Sequence, residues 1–354
     1  MGSARITPPR PVDVAALFPE LAPLARPAIR LHPRPGSPSV SESSVGGPLL
    51  WPADEPWPHC DGPHPGTGVS AYPAEVRLER RRRARLRVDP RGPHYTPEER
   101  AIKARNDAAF TERLDAGPPQ PAECPVPMLP VVQLYVRDIP LLRPPGEADL
   151  LQVLWCPYDH APDNKPSTAL FWRASASVGD VLAVPPDPYE ADYPGYVPQP
   201  CRLVPEATID YPHSLELTSP MQQALGDWSR WQAAGDAVDS SYAAYPAEFY
   251  DTELAVAPGW KAGGWAPWGR TDPYPLNCAV CEAQMVPLLT IASFEWDGGP
   301  GSWVPYEDQA AAATDHLAGQ NPAQPTAVEV GSTDNLQLYV CPASAEHPHT
   351  DLIQ

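Results

Sequence analysis

Residues 46–60 read GGPLLWPADEPWPHC, and residues 263–278 read GGWAPWGRTDPYPLNC. Gly46-Gly47, Trp51, Pro56, Pro58 and Cys60 return as Gly263-Gly264, Trp268, Pro273, Pro275 and Cys278, with a one-residue slip at the cysteine alone. The agreement continues downstream. Cys124, Met128 and Pro130 before an apolar run match Cys281, Met285 and Pro287 before another. Leu151-Gln152 with Cys156-Pro157 matches Leu336-Gln337 with Cys341-Pro342, and His160 pairs loosely with His347. Rare residue types repeating in one order predict two pseudo-symmetric units, each carrying thiols.

The apolar runs are of strand length and are bounded by prolines. Residues 128–136, 150–156, 168–175, 181–184, 288–296 and 336–341 read as strands. Helices are few. An amphipathic stretch covers 12–24, and Thr96 with Glu99 forms a capping box for a helix over 97–114 that Gly117-Pro118 ends. Ser219-Pro220 with Gln222 reads as a second such start, with Met221, Leu225 and Trp228 along one face to about 234. The fold class is therefore α+β, sheet-rich, with many proline-rich loops. The chain divides into a Pro/Ser-rich segment 1–45, a first unit 46–210 with an insertion 61–120, a connecting helical segment 211–250, and a second unit 251–354.

The 354 residues include 52 prolines, which remove backbone donors and fix φ, favouring strand edges and turns over long helices. Eleven tryptophans and the apolar runs argue for a packed core over most of the chain. A net charge of −19 disfavours nucleic acid or an anionic membrane as partner. Against that charge, Arg77, Arg80 to Arg83, Arg85, Arg87 and Arg91 form a basic run, read as a solvated segment or a contact with an acidic surface, including the protein's own. No apolar run is long enough to cross a membrane, and no secretory leader opens the chain, so the expected location is the cytoplasm.

Seven cysteines in a reducing compartment read as thiols or metal ligands. Cys278-Ala-Val-Cys281 offers two sulfurs from one tight turn, and Cys341 with His347 completes three thiolates and an imidazole, a donor set suited to tetrahedral zinc. In the first unit, the repeat predicts Cys60, Cys124, Cys156 and His160. By spacing, His349 is an alternative to His347 and His64 to His160. The competing readings are buried thiols packed as small hydrophobes, or iron in place of zinc. A redox CxxC is disfavoured because no helix opens at Cys281. Cys201 has no counterpart and reads as a plain core or surface thiol. Four protein ligands leave no position for water, so the metal, one or two zinc ions per chain, is expected to be structural.

Other chemistry is thin. There is no G-x-S-x-G, P-loop, H-E-x-x-H or dinucleotide fingerprint. The glycine pairs read as turns of close backbone approach. Glu295-Trp296-Asp297 and Tyr306-Glu307-Asp308 read as solvated strand ends, and the flanking tryptophans as packing.

Gly46-Gly47-Pro48 to Trp51-Pro52, the strand from Met128 to Gln133, Leu151-Gln152, Leu336-Gln337 and Gly263 to Trp268 together resemble the YwqG-like family, bacterial proteins of unknown function, most closely its proline- and cysteine-richer actinobacterial members. The resemblance covers about 46–60 and 124–354. It implies a mixed α+β fold built on sheet and assigns no activity and no catalytic residue. The expected function is a zinc-stabilised module that binds another protein. The alternatives are a metal-dependent hydrolase with an incompletely ligated site and a self-assembling structural component.

Overall fold

A computed structural model describes residues 6–64, 71–115, 125–235, 238–296, 301–313, 321–331 and 333–354. Its strands, in chain order, begin with β1 (Arg26–Arg30), β2 (Arg34–Pro35), β3 (Ser44–Val45) and β4 (His59–Cys60). Then come β5 (Val126–Pro127), β6 (Leu129–Tyr135), β7 (Leu150–His160) and β8 (Lys165–Arg173). The remainder are β9 (Cys201–Arg202), β10 (Glu206–Asp210), β11 (Lys261–Gly263), β12 (Val286–Ala292), β13 (Asn335–Val340) and β14 (Thr350–Ile353). With its helices, the chain is a mixed α+β protein.

Two antiparallel sheets form the body, in the orders β2-β9-β3-β6-β7-β8 and β10-β1-β11-β12-β13-β14, with β4-β5 as a separate pair. The long apolar runs become the central strands. Nearly every residue of β6 and the first eight of β7 are buried, as expected of strands covered on both faces. Both sheets bulge at a proline. The β6–β7 register shifts between Pro130 and Val132, and the β12–β13 register between Pro287 and Leu289, because a proline cannot donate to the ladder.

One ribbon ties the sheets together. Arg26 to Arg30 pair with Asp210 to Glu206 in one sheet, and Arg34-Pro35 with Arg202-Cys201 in the other, in a single unbroken register. Both chains of the ribbon therefore cross from sheet to sheet. At the far edges, β8 and β14 meet through side chains, with Lys165 paired to Asp351 and the Thr168 hydroxyl donating to Asp351 at 2.7 Å. One apolar cluster draws on both sheets, including Leu31, Val131, Leu151, Trp155, Trp260, Leu289 and Leu338. The two expected units thus share a core.

A second cluster, around Phe18, Leu225, Trp231, Phe249 and Tyr250, joins the N-terminal segment to residues 217–256. Its helices include α1 (Val14–Leu17), capped by Asp13. The arginine run from Arg77 to Arg87 lies on a helix, α2 (Pro73–Val88), which packs on α3 (Pro97–Asp115), and Arg91 follows it. Its charges are largely met within the protein. Arg77 pairs with Asp187, Arg82 and Arg83 with Glu79, and Arg85 with Glu99, while Arg80 donates to the carbonyls of Pro194, Val197 and Ala327. The Thr96–Glu99 capping box is present in both directions, at 3.1 and 2.9 Å.

Other expectations are corrected. The helix over 219–234 is broken into α4 (Ser219–Leu225) and α5 (Trp228–Gln232), with Gly226 between them and Asp227 capping the second. Its start carries no capping box, since Gln222 donates instead to the Leu217 carbonyl. Residues 181–184 form no strand, only a single bridge from Val181 to Pro52. The glycine pairs do make close turns. A Cβ on Gly46, at φ +60°, would lie 2.9 Å from the Pro198 carbonyl, and one on Gly264, at φ +73°, would collide with the Asp210 carboxylate and Ala28.

Glu295 is not a solvated strand end but lies fully buried near the ribbon's crossing, where its carboxylate accepts the Trp260 N–H at 2.9 Å. Glu307 and Asp308 both pair with Arg34. At the crossing, His32 adopts a left-handed φ of 42° and sits buried, its Nε2 3.2 Å from Glu206 and its Nδ1 3.6 Å from Glu295. Burial pushes the Glu206 carboxyl up, but hydrogen bonds from His32 and Thr7 outweigh it and hold it down to about 2. A carboxylate depressed in this way stabilises the fold above its unfolded value and loses that contribution as pH falls toward its folded one. Glu206→Gln should therefore cost stability at neutral pH, with the difference from wild type shrinking between about pH 4.5 and 2 in urea titrations. A difference that stays flat through that window would count against this reading.

Candidate metal centres

Cys60 closes β4, and His64 follows it beyond the Gly62-Pro63 turn. Cys156 and His160 lie on β7, four residues apart, with the register shift between Trp155 and Asp159 separating them. The ligand atoms of Cys60, His64, Cys156 and His160 all lie within 4.8 Å of one another. Cys278 opens a hairpin whose ends are bridged by Asn277 and Gln284, and Cys281 sits at its tip. Cys341 follows directly on β13, and a turn brings His347 back. The ligand atoms of Cys278, Cys281, Cys341 and His347 meet the same 4.8 Å limit.

The second quartet is therefore assembled as the spacing predicts. In the first, Cys60, Cys156 and His160 come together with His64 as the fourth member, whereas Cys124 lies outside the described residues. His64 stands beside His160 rather than in its place, with the rings 5.4 Å apart. His349 belongs to neither quartet and is hydrogen-bonded to Thr168 at 2.9 Å. Cys201 is a buried thiol donating to the Pro325 carbonyl.

The distances fit a tetrahedron. Zinc bonds of about 2.3 Å to sulfur and 2.0–2.1 Å to nitrogen imply edges of about 3.8 Å between sulfurs and about 3.6 Å between sulfur and nitrogen. Cys60 Sγ is 3.6 Å from His160 Nε2, and Cys281 Sγ is 3.4 Å from Cys341 Sγ. His347 Nδ1 lies 3.4 Å from Cys278 Sγ and 3.3 Å from Cys341 Sγ.

The backbone is arranged for thiolates. The Val280 N–H donates to Cys278 Sγ at 3.4 Å, and the N–H groups of Gly62, Tyr158, Ala283 and Ala343, likewise two residues on, favour the thiolates of Cys60, Cys156, Cys281 and Cys341. An N–H aimed at sulfur favours the charged form. Within each quartet the thiols also compete for one negative charge. The Cys156 thiol, helped by Gly62 and His64, holds Cys60 down to about 5, while the charge on Cys60, together with burial, pushes Cys156 up. Burial pushes Cys341 up as well, but Ala343, His347 and Ser344 outweigh it and hold it at about 6. A bound dication resolves this competition by stabilising every thiolate in the group.

The chain matches no protein-family model and no curated protein.

Membership of the first quartet is testable. His64→Ala is expected to lose one metal equivalent per chain, while Cys124→Ser keeps the full complement, as read by inductively coupled plasma mass spectrometry. Metal loss in Cys124→Ser with retention in His64→Ala would restore the ligand set expected from the repeat. The Cys60–His64 and Cys156–His160 pairs share the spacing C-x3-H, and that repeated spacing is the sequence signal for His64.

Proposed function

We propose that the chain is a zinc-stabilised protein of two related units that works by binding another protein. The observation that carries the zinc reading is the convergence of thiols and imidazoles in two quartets of tetrahedral dimensions, with the cysteines set in turns such as that of Val280, whose N–H donates to Cys278. Such turns prepare thiolates before a metal arrives. The ligand atoms of each quartet lie within 4.8 Å of one another, which suits one ion; a mononuclear iron–sulfur centre takes four thiolates, and clusters with mixed cysteine and histidine ligands hold two irons, so zinc is favoured.

Kinship of the units draws on matched hydrogen bonds as well as residues. Gln152 donates to the Leu50 carbonyl at 3.0 Å, and Gln337, its sequence counterpart, donates to the Pro267 carbonyl, the counterpart of Leu50, at 2.5 Å. The prolines at which the ladders bulge, Pro130 and Pro287, are counterparts too.

Four protein donors fill a tetrahedral shell, which disfavours the hydrolase reading by leaving no place for an activated water. Bound zinc would cross-link β4 to β7 in one place and the 277–284 hairpin to the end of β13 in the other. Cobalt(II) substitution tests this reading. Tetrahedral thiolate sites should give intense ligand-field bands in the red and thiolate charge-transfer bands in the near ultraviolet. A weak octahedral spectrum that responds to added hydrolysable substrate would favour the hydrolase instead.

A further inference from the structure

Among the described cysteines, Cys281 alone is exposed; Cys156, Cys201, Cys278 and Cys341 are buried and Cys60 is half-buried. Cys281 stands at the tip of the 277–284 hairpin, where Ala279, Val280 and Glu282 are exposed with it. Its sulfur is 3.4 Å from that of Cys341, which is 4% exposed and held directly after β13. One sulfur of the second quartet therefore faces solvent, and a second lies in contact behind it. The first quartet has no such pair. There Cys156 is fully buried in β7, and half-buried Cys60 is grouped with it, His64 and His160.

Readily oxidised cysteines are thiolates that solvent can reach, placed beside a second cysteine able to capture the oxidised sulfur. In this quartet a bound dication would supply the thiolate form at neutral pH. The charge of the chain selects among oxidants. A net charge of −19, with Glu282 next to Cys281, repels anionic disulfides such as oxidised glutathione and leaves small neutral hydroperoxides as the favoured class.

We propose that Cys281 is a site of hydroperoxide modification, resolved by Cys341, and that its oxidation opens the second metal centre. The inference rests on the zinc reading above. With hydrogen peroxide, the Cys281 thiolate attacks one oxygen; an S–O bond forms, the O–O bond breaks and hydroxide leaves, giving the sulfenic acid. The Cys341 thiolate then attacks the Cys281 sulfur; the S–S bond forms, the S–O bond breaks and a second hydroxide leaves. Two electrons pass from the sulfurs to the peroxide, and two protons from solvent turn the hydroxides into water. Because the sulfurs are already in contact, the second step needs a shift of the hairpin tip rather than of the strands. Cys278 and His347 remain, too few donors to retain zinc, and the cluster of Ala266, Met285, Tyr339 and Leu352 loses that cross-link. This differs from a CxxC exchange, since the resolving sulfur comes from another element of the fold.

The test treats the zinc-loaded full chain with hydrogen peroxide. Zinc release is followed with a chromogenic chelator, and disulfides are mapped by peptide mass after the remaining thiols are alkylated. One zinc equivalent should leave at least about tenfold faster than the second, with a Cys281–Cys341 disulfide forming at the same rate. Dithiothreitol with added zinc should restore the starting metal content. Cys281→His keeps a donor for zinc without the exposed sulfur, so it should hold both zinc ions and lose the fast phase. Should that variant fail to load, the disulfide map of the wild type decides alone. Release of both zinc ions at one rate, or a disulfide joining Cys278 to Cys281 instead, overturns the proposal. Zinc that stays bound with no disulfide formed also overturns it and leaves the zinc reading standing. A chain that carries no zinc beforehand, yet forms the Cys281–Cys341 disulfide, removes the zinc reading and keeps the reactive pair.

Discussion

Cys278→Ser is expected to release one of two zinc ions and lower Tm by about 10 °C or more, the largest effect of any single substitution at the second site. Cys278 is buried, and its quartet anchors a small apolar cluster of Ala266, Met285, Tyr339, Cys341 and Leu352. That cluster lies apart from the core shared by the sheets, so a bound metal would be its main cross-link. Structural zinc contributes on the order of 10 kcal/mol to small zinc domains, but the local end of a sheet can open before the whole chain unfolds. The measured loss is therefore capped at the cost of that opening. The first zinc should remain, because its ligands lie on β4, on β7 and in the turn after β4. A variant that keeps both zinc ions and its Tm would remove Cys278 from the ligand set.

Lys261→Met is the second large effect, with an expected loss of about 3–5 kcal/mol at neutral pH. Lys261 and Asp210 form an ion pair in which both side chains are fully buried. The Lys261 ammonium also donates to the Trp265 carbonyl at 2.8 Å, and Asp210 accepts the N–H groups of Ala257 and Trp265, each at 3.1 Å. Burial lowers the lysine pKa and Asp210 opposes the shift. Methionine matches the stem of lysine but strands the Asp210 charge without water. Adding Asp210→Asn should recover more than half of the loss. Equal stability of wild type and Lys261→Met in urea unfolding would mean that the pair contributes nothing.

How much of this was legible depends on how far apart the cooperating residues lie. The central strands and the second quartet were open to reading, because β6, β7, β12 and β13 are apolar runs and CxxC is a local signal. The ribbon was not. Its four strands hold only two to five residues each, and Arg30, Asp210 and Glu206 give it a polar look that masks its burial. Its pairing joins residues more than 150 positions apart, information that no local window contains. The helix α2 was hidden differently. It is charged on nearly every side, so it lacks an apolar stripe, and its partners Asp187, Glu99 and the Pro194 carbonyl are distant in sequence. His64 was available through the repeated C-x3-H spacing, but matching the two units position by position directed attention to Cys124.

If both quartets hold zinc, the metal content of the protein will show it. The full chain, purified under reducing conditions without added metal and analysed by inductively coupled plasma mass spectrometry, should carry two zinc ions per chain. Protein that is folded by near-ultraviolet circular dichroism, yet carries no zinc and takes up none on dialysis against it, would mean that neither quartet is a zinc site.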